Sequence, residues 1–79
     1  MVELPSVEEQ KAFYQEQRNQ MLHVNLQNEF SRLRNEKRVA ENKNEDEVDN
    51  AKAEIKKIDR QFEIAAQSIE VIDEQLAKL

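Results

Sequence analysis

From Val48 to Leu79 the apolar residues fall at Val48, Ala51, Ile55, Ile58, Phe62, Ala65, Ile69, Ile72, Leu76 and Leu79. The steps between them alternate three and four throughout. An average repeat of 3.5 residues keeps one narrow stripe turned toward a neighbouring helix, so this stretch predicts a helix carrying a coiled-coil seam.

The first half of the chain is less regular. Met1 to Leu4 form a lead-in, and Pro5-Ser6 opens a helix. Ser6 has the chemistry of an N-cap, with Glu9 at capping-box spacing. Glu8 and Glu9 place negative charge at the positive end of the helix dipole. The apolar face then runs through Val7, Tyr14, Leu22, Leu26, Phe30, Leu33 and Ala40, a 3.6-residue period with polar substitutions at Lys11, Arg18 and Lys37.

The pattern breaks near Asn42. Arg38 and Lys43 sit where cations suit a helix C-terminus. Asn42 and Asn44 are suited to the left-handed conformation of a C-cap. Asn44 is also placed to cap a second helix, with Glu45, Asp46 and Glu47 loading its first turn. These features predict helix 1 over about 6–43, a turn at about 42–45 and helix 2 over about 45–78, in a single unit spanning 1–79. The rival is one unbroken helix, which no glycine or proline in this region forbids.

Folding back about Asn44 opposes residues whose numbers add to about 88. Ala40 then faces Val48, Leu33 faces Ile55, Phe30 faces Ile58, Leu26 faces Phe62 and Leu22 meets Ala66. Tyr14 lies near Ile72 and Leu76, and Val7 near Leu79. The expected fold is therefore all-α: a two-helix antiparallel coiled-coil hairpin. Its seam is formed by Leu22, Leu26, Phe30 and Leu33 against Ile55, Ile58, Phe62, Ile69 and Ile72.

Some apolar residues are left off that seam. Ile64 and Val71 lie one heptad apart on helix 2, and Phe13, Met21 and Val24 lie on helix 1. The same fold-back brings Val24 near Ile64, with Gln17 and Met21 bracketing Val71. A coherent apolar stripe outside the core points to a contact surface. These five residues are the candidate partner-binding set. The expected occupant is another protein chain, and a symmetric dimer forming a four-helix bundle is the commonest solution. Size supports this: below about 70–80 residues one core rarely supplies more than about 3–5 kcal/mol.

Composition narrows the function classes. Of 79 residues, 37% are charged and 38% hydrophobic, with no glycine and no cysteine. High charge can mark disorder, but periodic apolar positions set among Glu, Lys, Gln, Arg and Ala favour helix. Without cysteine there are no disulfides or thiolate metal sites, which fits a cytoplasmic protein. No apolar run approaches the ~20 residues that span a bilayer, and no signal-peptide pattern is present. The net charge of −5 argues against a general nucleic-acid binder. Charge is also uneven. Residues 29–60 carry nine basic and nine acidic side chains, while the rest carry three against eight. A foreign partner for the terminal half is expected to be basic around its rim.

No residue cluster carries catalysis. His23 is the one histidine, and a metal site needs more ligands than it and nearby amides. Glu45, Asp46, Glu47 and Asp49 lack the alternating oxygen ligands and glycine of a calcium loop, and read as helix capping. Three serines have no base implied beside them, and two helices offer little concavity for a substrate. Phe62 fills a seam position between Ala51 and Ala65, as core. The basic run from Arg32 to Arg38 precedes a heptad seam, as a DNA-reading region precedes a zipper, but Leu33 and Glu36 interrupt it.

The expected function is therefore a non-catalytic protein–protein interaction module, such as a small assembly chaperone, adaptor or inhibitor that completes a helical bundle. No cofactor or metal is implied. The alternative is a coiled-coil DNA-binding regulator using Arg32–Arg38, or a structural spacer.

Overall fold

The computed structural model describes residues 2–79; Met1, counted above with the lead-in, lies outside them. Two helices make up the fold: α1 (Val7–Glu41) and α2 (Glu45–Lys78). They pack against each other as an antiparallel hairpin measuring 58 × 20 × 17 Å. The chain reverses after Glu41, so the unbroken-helix alternative does not occur.

The helix starts follow from capping. Ser6 Oγ accepts from the Glu9 amide at 3.3 Å, and the Gln10 side chain donates to the Pro5 carbonyl at 2.7 Å. The first occupies an amide that the first turn of a helix leaves unpaired, and the second ties the helix back to the chain before its cap. Asn44 opens α2, its Oδ1 accepting from the amides of Asp46 at 2.9 Å and Glu47 at 3.4 Å.

The connection differs from expectation. Asn42 ends α1 with φ −88° and ψ 139°, an extended conformation, and no described residue has a positive φ. The left-handed C-cap is therefore absent. Side-chain bonding replaces it: Asn42 Oδ1 accepts from the Asn44 amide at 3.0 Å, and Asn42 Nδ2 donates to the Glu47 carboxylate. The Asn42 amide still bonds back to the Arg38 carbonyl at 3.0 Å. Two asparagines thus turn the chain with ordinary backbone angles, which explains how it reverses without glycine.

The core lies almost wholly on α2. Ala51, Ile58, Ala65 and Ile72 are buried, and Val48, Ile55, Phe62, Ile69, Leu76 and Leu79 are half-buried. All ten belong to the heptad stripe.

The α1 half of the expected seam is corrected. Leu22, Leu26, Phe30 and Leu33 are 45%, 67%, 65% and 54% exposed, and so point away from α2. Reflecting the α2 stripe from Val48 to Leu76 through residue 45, so that opposed numbers add to 90, lands instead on Tyr14, Arg18, Met21, Asn25, Asn28, Arg32, Asn35, Val39 and Asn42. Each of these is half-buried or, for Asn35, buried. The expected register was short by two residues. Two residues turn a helix by about 200°, which carries an inward position to the outer face. That is the physical reason one misplaced register exchanged the two sides of α1.

The resulting seam is apolar on α2 and largely polar on α1. Asn35 Nδ2 donates to the Ser31 carbonyl at 2.9 Å, and its Oδ1 accepts from Arg38 at 2.9 Å. Arg32 Nε lies 3.0 Å from Asp59, and Arg18 Nε 2.9 Å from Asp73, two ion pairs that cross between the helices. Short asparagines opposite isoleucine and phenylalanine let the backbones approach, at the cost of a thin apolar core. Among the described residues no large side chain is fully buried.

Candidate protein-binding surface

The chain leaves two apolar surfaces uncovered. The first joins both helices in the half that holds the termini. Phe13, Val24, Ile64 and Val71 are 58%, 40%, 56% and 55% exposed, and Met21 is half-buried between them. A shallow depression of ≈ 220 Å³ is lined by Met21, Val24, Ile64 and Ala65, with Asn28, Gln61 and Ser68 at its edges. A second, of ≈ 340 Å³, is lined by Phe13, Tyr14, Gln17, Met21, Val71 and Ile72, with Ser68 again at its edge. Met21 and Ser68 belong to both, so the two depressions are continuous. The five candidate partner-binding residues therefore lie around one open trough.

The trough extends further than the sequence reading placed it. Leu4 and Pro5 line a third depression with Gln10, Phe13 and Tyr14, and Leu4 is 69% exposed. The Phe13 and Tyr14 rings meet edge to face, centroids 5.4 Å apart and planes at 72°. This contact fixes Phe13 at the junction of two depressions. The available signal was local: Leu4-Pro5 stands directly before the cap of α1, little more than two helical turns from Phe13.

The second uncovered surface is the outer face of α1, with Leu22, Leu26, Phe30 and Leu33 along it. The Arg34 guanidinium lies over the Phe30 ring, 5.9 Å from its centroid. Leu26 follows Val24 by two positions, so the two surfaces point about 160° apart around α1.

The other candidate chemistry is placed as follows. Arg32 lies beside Asp59 and 3.6 Å from Glu36, Lys37 lies 3.8 Å from Glu41, and Arg38 bonds to Asn35. Most of the basic run is thus engaged within the chain. His23 Nε2 is 3.5 Å from Gln27 Nε2. No group of three or more His, Cys, Asp or Glu among the described residues is arranged to hold a metal ion. The acidic start of α2 borders an open hollow with Asn42, Lys43, Val48 and Lys52, and its amides are occupied by Asn44. No described helix is long and apolar enough to cross a membrane.

The fold class is that of an all-α helical hairpin with an exposed apolar trough. No family model, curated protein or solved structure matches this chain.

Proposed function

We propose that this chain is a non-catalytic protein–protein interaction module, an assembly chaperone, adaptor or inhibitor that acts by completing a helical bundle. The observation that carries the reading is the trough itself. Large apolar side chains from two different helices converge on one face and stay about half exposed. A helix laid along the trough would bury them in the helix-in-groove manner.

Energetics agree with this use. Covering a large apolar side chain completely contributes ~1.5–3 kcal/mol. These residues start half covered, so each contributes less, and association costs are subtracted from the sum. Five of them together still suffice for a moderate, reversible contact.

Charge narrows the partner. Outside residues 29–60 the chain carries three basic against eight acidic side chains. The trough lies in that acidic half. Its partner is an amphipathic helix whose apolar stripe is bordered by lysine or arginine, which steers encounter and fixes orientation.

The test pairs Ile64→Asp with Val71→Asp. Both side chains are exposed, so the variant keeps its helical circular dichroism. Affinity capture with mass spectrometry should recover a protein with the wild-type hairpin and lose it with the variant. Equal recovery by both forms would remove the trough as the binding face.

A further inference from the structure

The seam that closes the hairpin is unequal on its two sides. α2 brings an apolar residue to every heptad position from Val48 to Leu79. α1 meets them mostly with arginine and asparagine, and Asn25 Oδ1 and Asn28 Nδ2 are enclosed there without a hydrogen-bond partner in the chain. Unpaired enclosed groups weaken a contact, because opening it returns them to water. We propose that α1 is an exchangeable cover. When it swings out, the α2 seam pairs with the α2 seam of a second copy in antiparallel fashion, about a two-fold axis between Phe62 and Ala65.

Two observations select a second copy. The first is side-chain size. A two-fold interface must be complementary to itself, with residue i meeting j and j meeting i. The stripe steps by three and four identically from either end, so antiparallel pairing with numbers adding to 127 uses its whole length. Spacing alone suits any heptad helix; the sizes do not. Both alanines of the stripe meet a large residue, Ala65 the second copy's Phe62 and Ala51 its Leu76. Between them Ile58 meets Ile69, and Ile55 meets Ile72. Parallel pairing would stack Phe62 on Phe62 and alanine on alanine, setting a bulge beside a gap.

The second is charge in that same register. Residues 52–60 lie along residues 67–75 of the second copy. The first stretch carries Lys52, Lys56, Lys57 and Arg60 against two acids. The second carries Glu70, Asp73 and Glu74 and no base. A net positive stretch therefore meets a net negative one, twice by symmetry, whereas parallel pairing would set each stretch on its like.

The short turn holds α1 beside α2 at a high effective concentration, so the hairpin prevails in dilute solution and the dimer grows as protein is concentrated. The trough has walls on both helices and exists only while the hairpin is closed. The inference therefore concerns a different surface from the trough, and the two associations exclude each other.

Sedimentation and light scattering across micromolar to millimolar concentration provide the first test. The mass should rise from 9.4 kDa toward twice that value. Asn25→Leu improves the cover without touching α2, and should weaken the dimer about tenfold or more. Ile64→Asp with Val71→Asp lies off the seam and should leave the rise in place, so failure of the trough reading does not bear on this one. A wild type that stays monomeric, or a dimer as tight in Asn25→Leu as in wild type, overturns the proposal.

Cysteine crosslinking reads the interface directly, since the chain has no cysteine of its own. Ala51 is fully enclosed in the hairpin, so a thiol there meets another chain only after α1 has moved. Ala51→Cys and Leu76→Cys chains should crosslink when mixed under oxidation and not separately. Antiparallel pairing holds two Ala51 positions, or two Leu76 positions, about 38 Å apart along the axis, beyond the ~7 Å a disulfide spans. A dimer without the mixed crosslink, or with either variant joined to itself, overturns the antiparallel α2 interface.

Discussion

Arg32 Nε lies 3.0 Å from Asp59 Oδ1, joining the two helices along one edge of the seam. Arg18 and Asp73 repeat the contact two heptads away on α1. In both pairs the residue numbers add to 91, one beyond the 90 of the seam, so the pairs fit the observed register. Their side chains remain 37–50% exposed, so solvent screens them. A double-mutant cycle of Arg32→Ala and Asp59→Ala, read by urea unfolding, should give a coupling of about 0.2–1 kcal/mol that shrinks with added salt. A coupling of several kcal/mol would mean the ion pairs impose the register instead of fitting one set by packing.

The rotation of α1 makes opposite predictions for two isoleucine- and leucine-sized side chains. Ile58 is 7% exposed in the seam, and Leu26 is 67% exposed outside it. Ile58→Ala should cost about 2–4 kcal/mol, within the range for truncating a buried aliphatic residue. In so small a hairpin that loss melts much of the helix. Leu26→Ala should change stability by less than about 0.5 kcal/mol when measured at concentrations where the chain is monomeric. Thermal circular dichroism on dilute protein compares the two. Equal losses would place Leu26 in the intramolecular core.

How much of this was legible in the sequence differs between the helices. On α2 the apolar residues form one dominant stripe, so Ile58 and Ile72 could be placed inside from spacing alone. The reversal was legible because Asn44 with Glu45, Asp46 and Glu47 makes a strong helix start. On α1 apolar residues lie on two sides, and Leu33 and Phe30 offered an apolar match two residues out of register. The true inner face has the correct alternating spacing through Met21, Asn25, Asn28, Arg32, Asn35 and Val39, but polar side chains occupy most of it. Hydrophobicity favoured the wrong face; mirroring the α2 spacing would have found the right one. The trough was less sensitive to this slip, because its residues flank the seam from both helices and remain neighbours after a two-residue shift.

The start of α2 gives a local prediction. Asn44 Oδ1 accepts from two amides that have no partner within the helix. Asn44→Ala removes that acceptor and should cost about 1 kcal/mol, with glycine milder than alanine. For a chain of this size the midpoint falls by roughly 4–8 °C per kcal/mol. Thermal melts of the Ala, Gly and Asp variants should rank Asp above Gly above Ala. An alanine variant equal to wild type would show that the reversal is held by packing alone.

The asparagines of the seam offer the most discriminating substitution. Asn25 Oδ1 and Asn28 Nδ2 are enclosed and have no hydrogen-bond partner within the chain. A buried polar atom left unpaired costs about 1–3 kcal/mol. In the observed register Asn25 stands opposite Ala65, whose small side chain leaves room for a larger neighbour. Asn25→Leu therefore removes the unpaired carbonyl and adds apolar contact across the seam. It should raise stability by about 1–2 kcal/mol, seen as a higher urea midpoint with an unchanged slope. In the register two residues shorter, Asn25 would face solvent, and leucine there would change little. A neutral result in dilute solution would thus favour Leu33 packing on Ile55, whereas a stabilised variant places Asn25 inside the seam and the leucine stripe of α1 outside it.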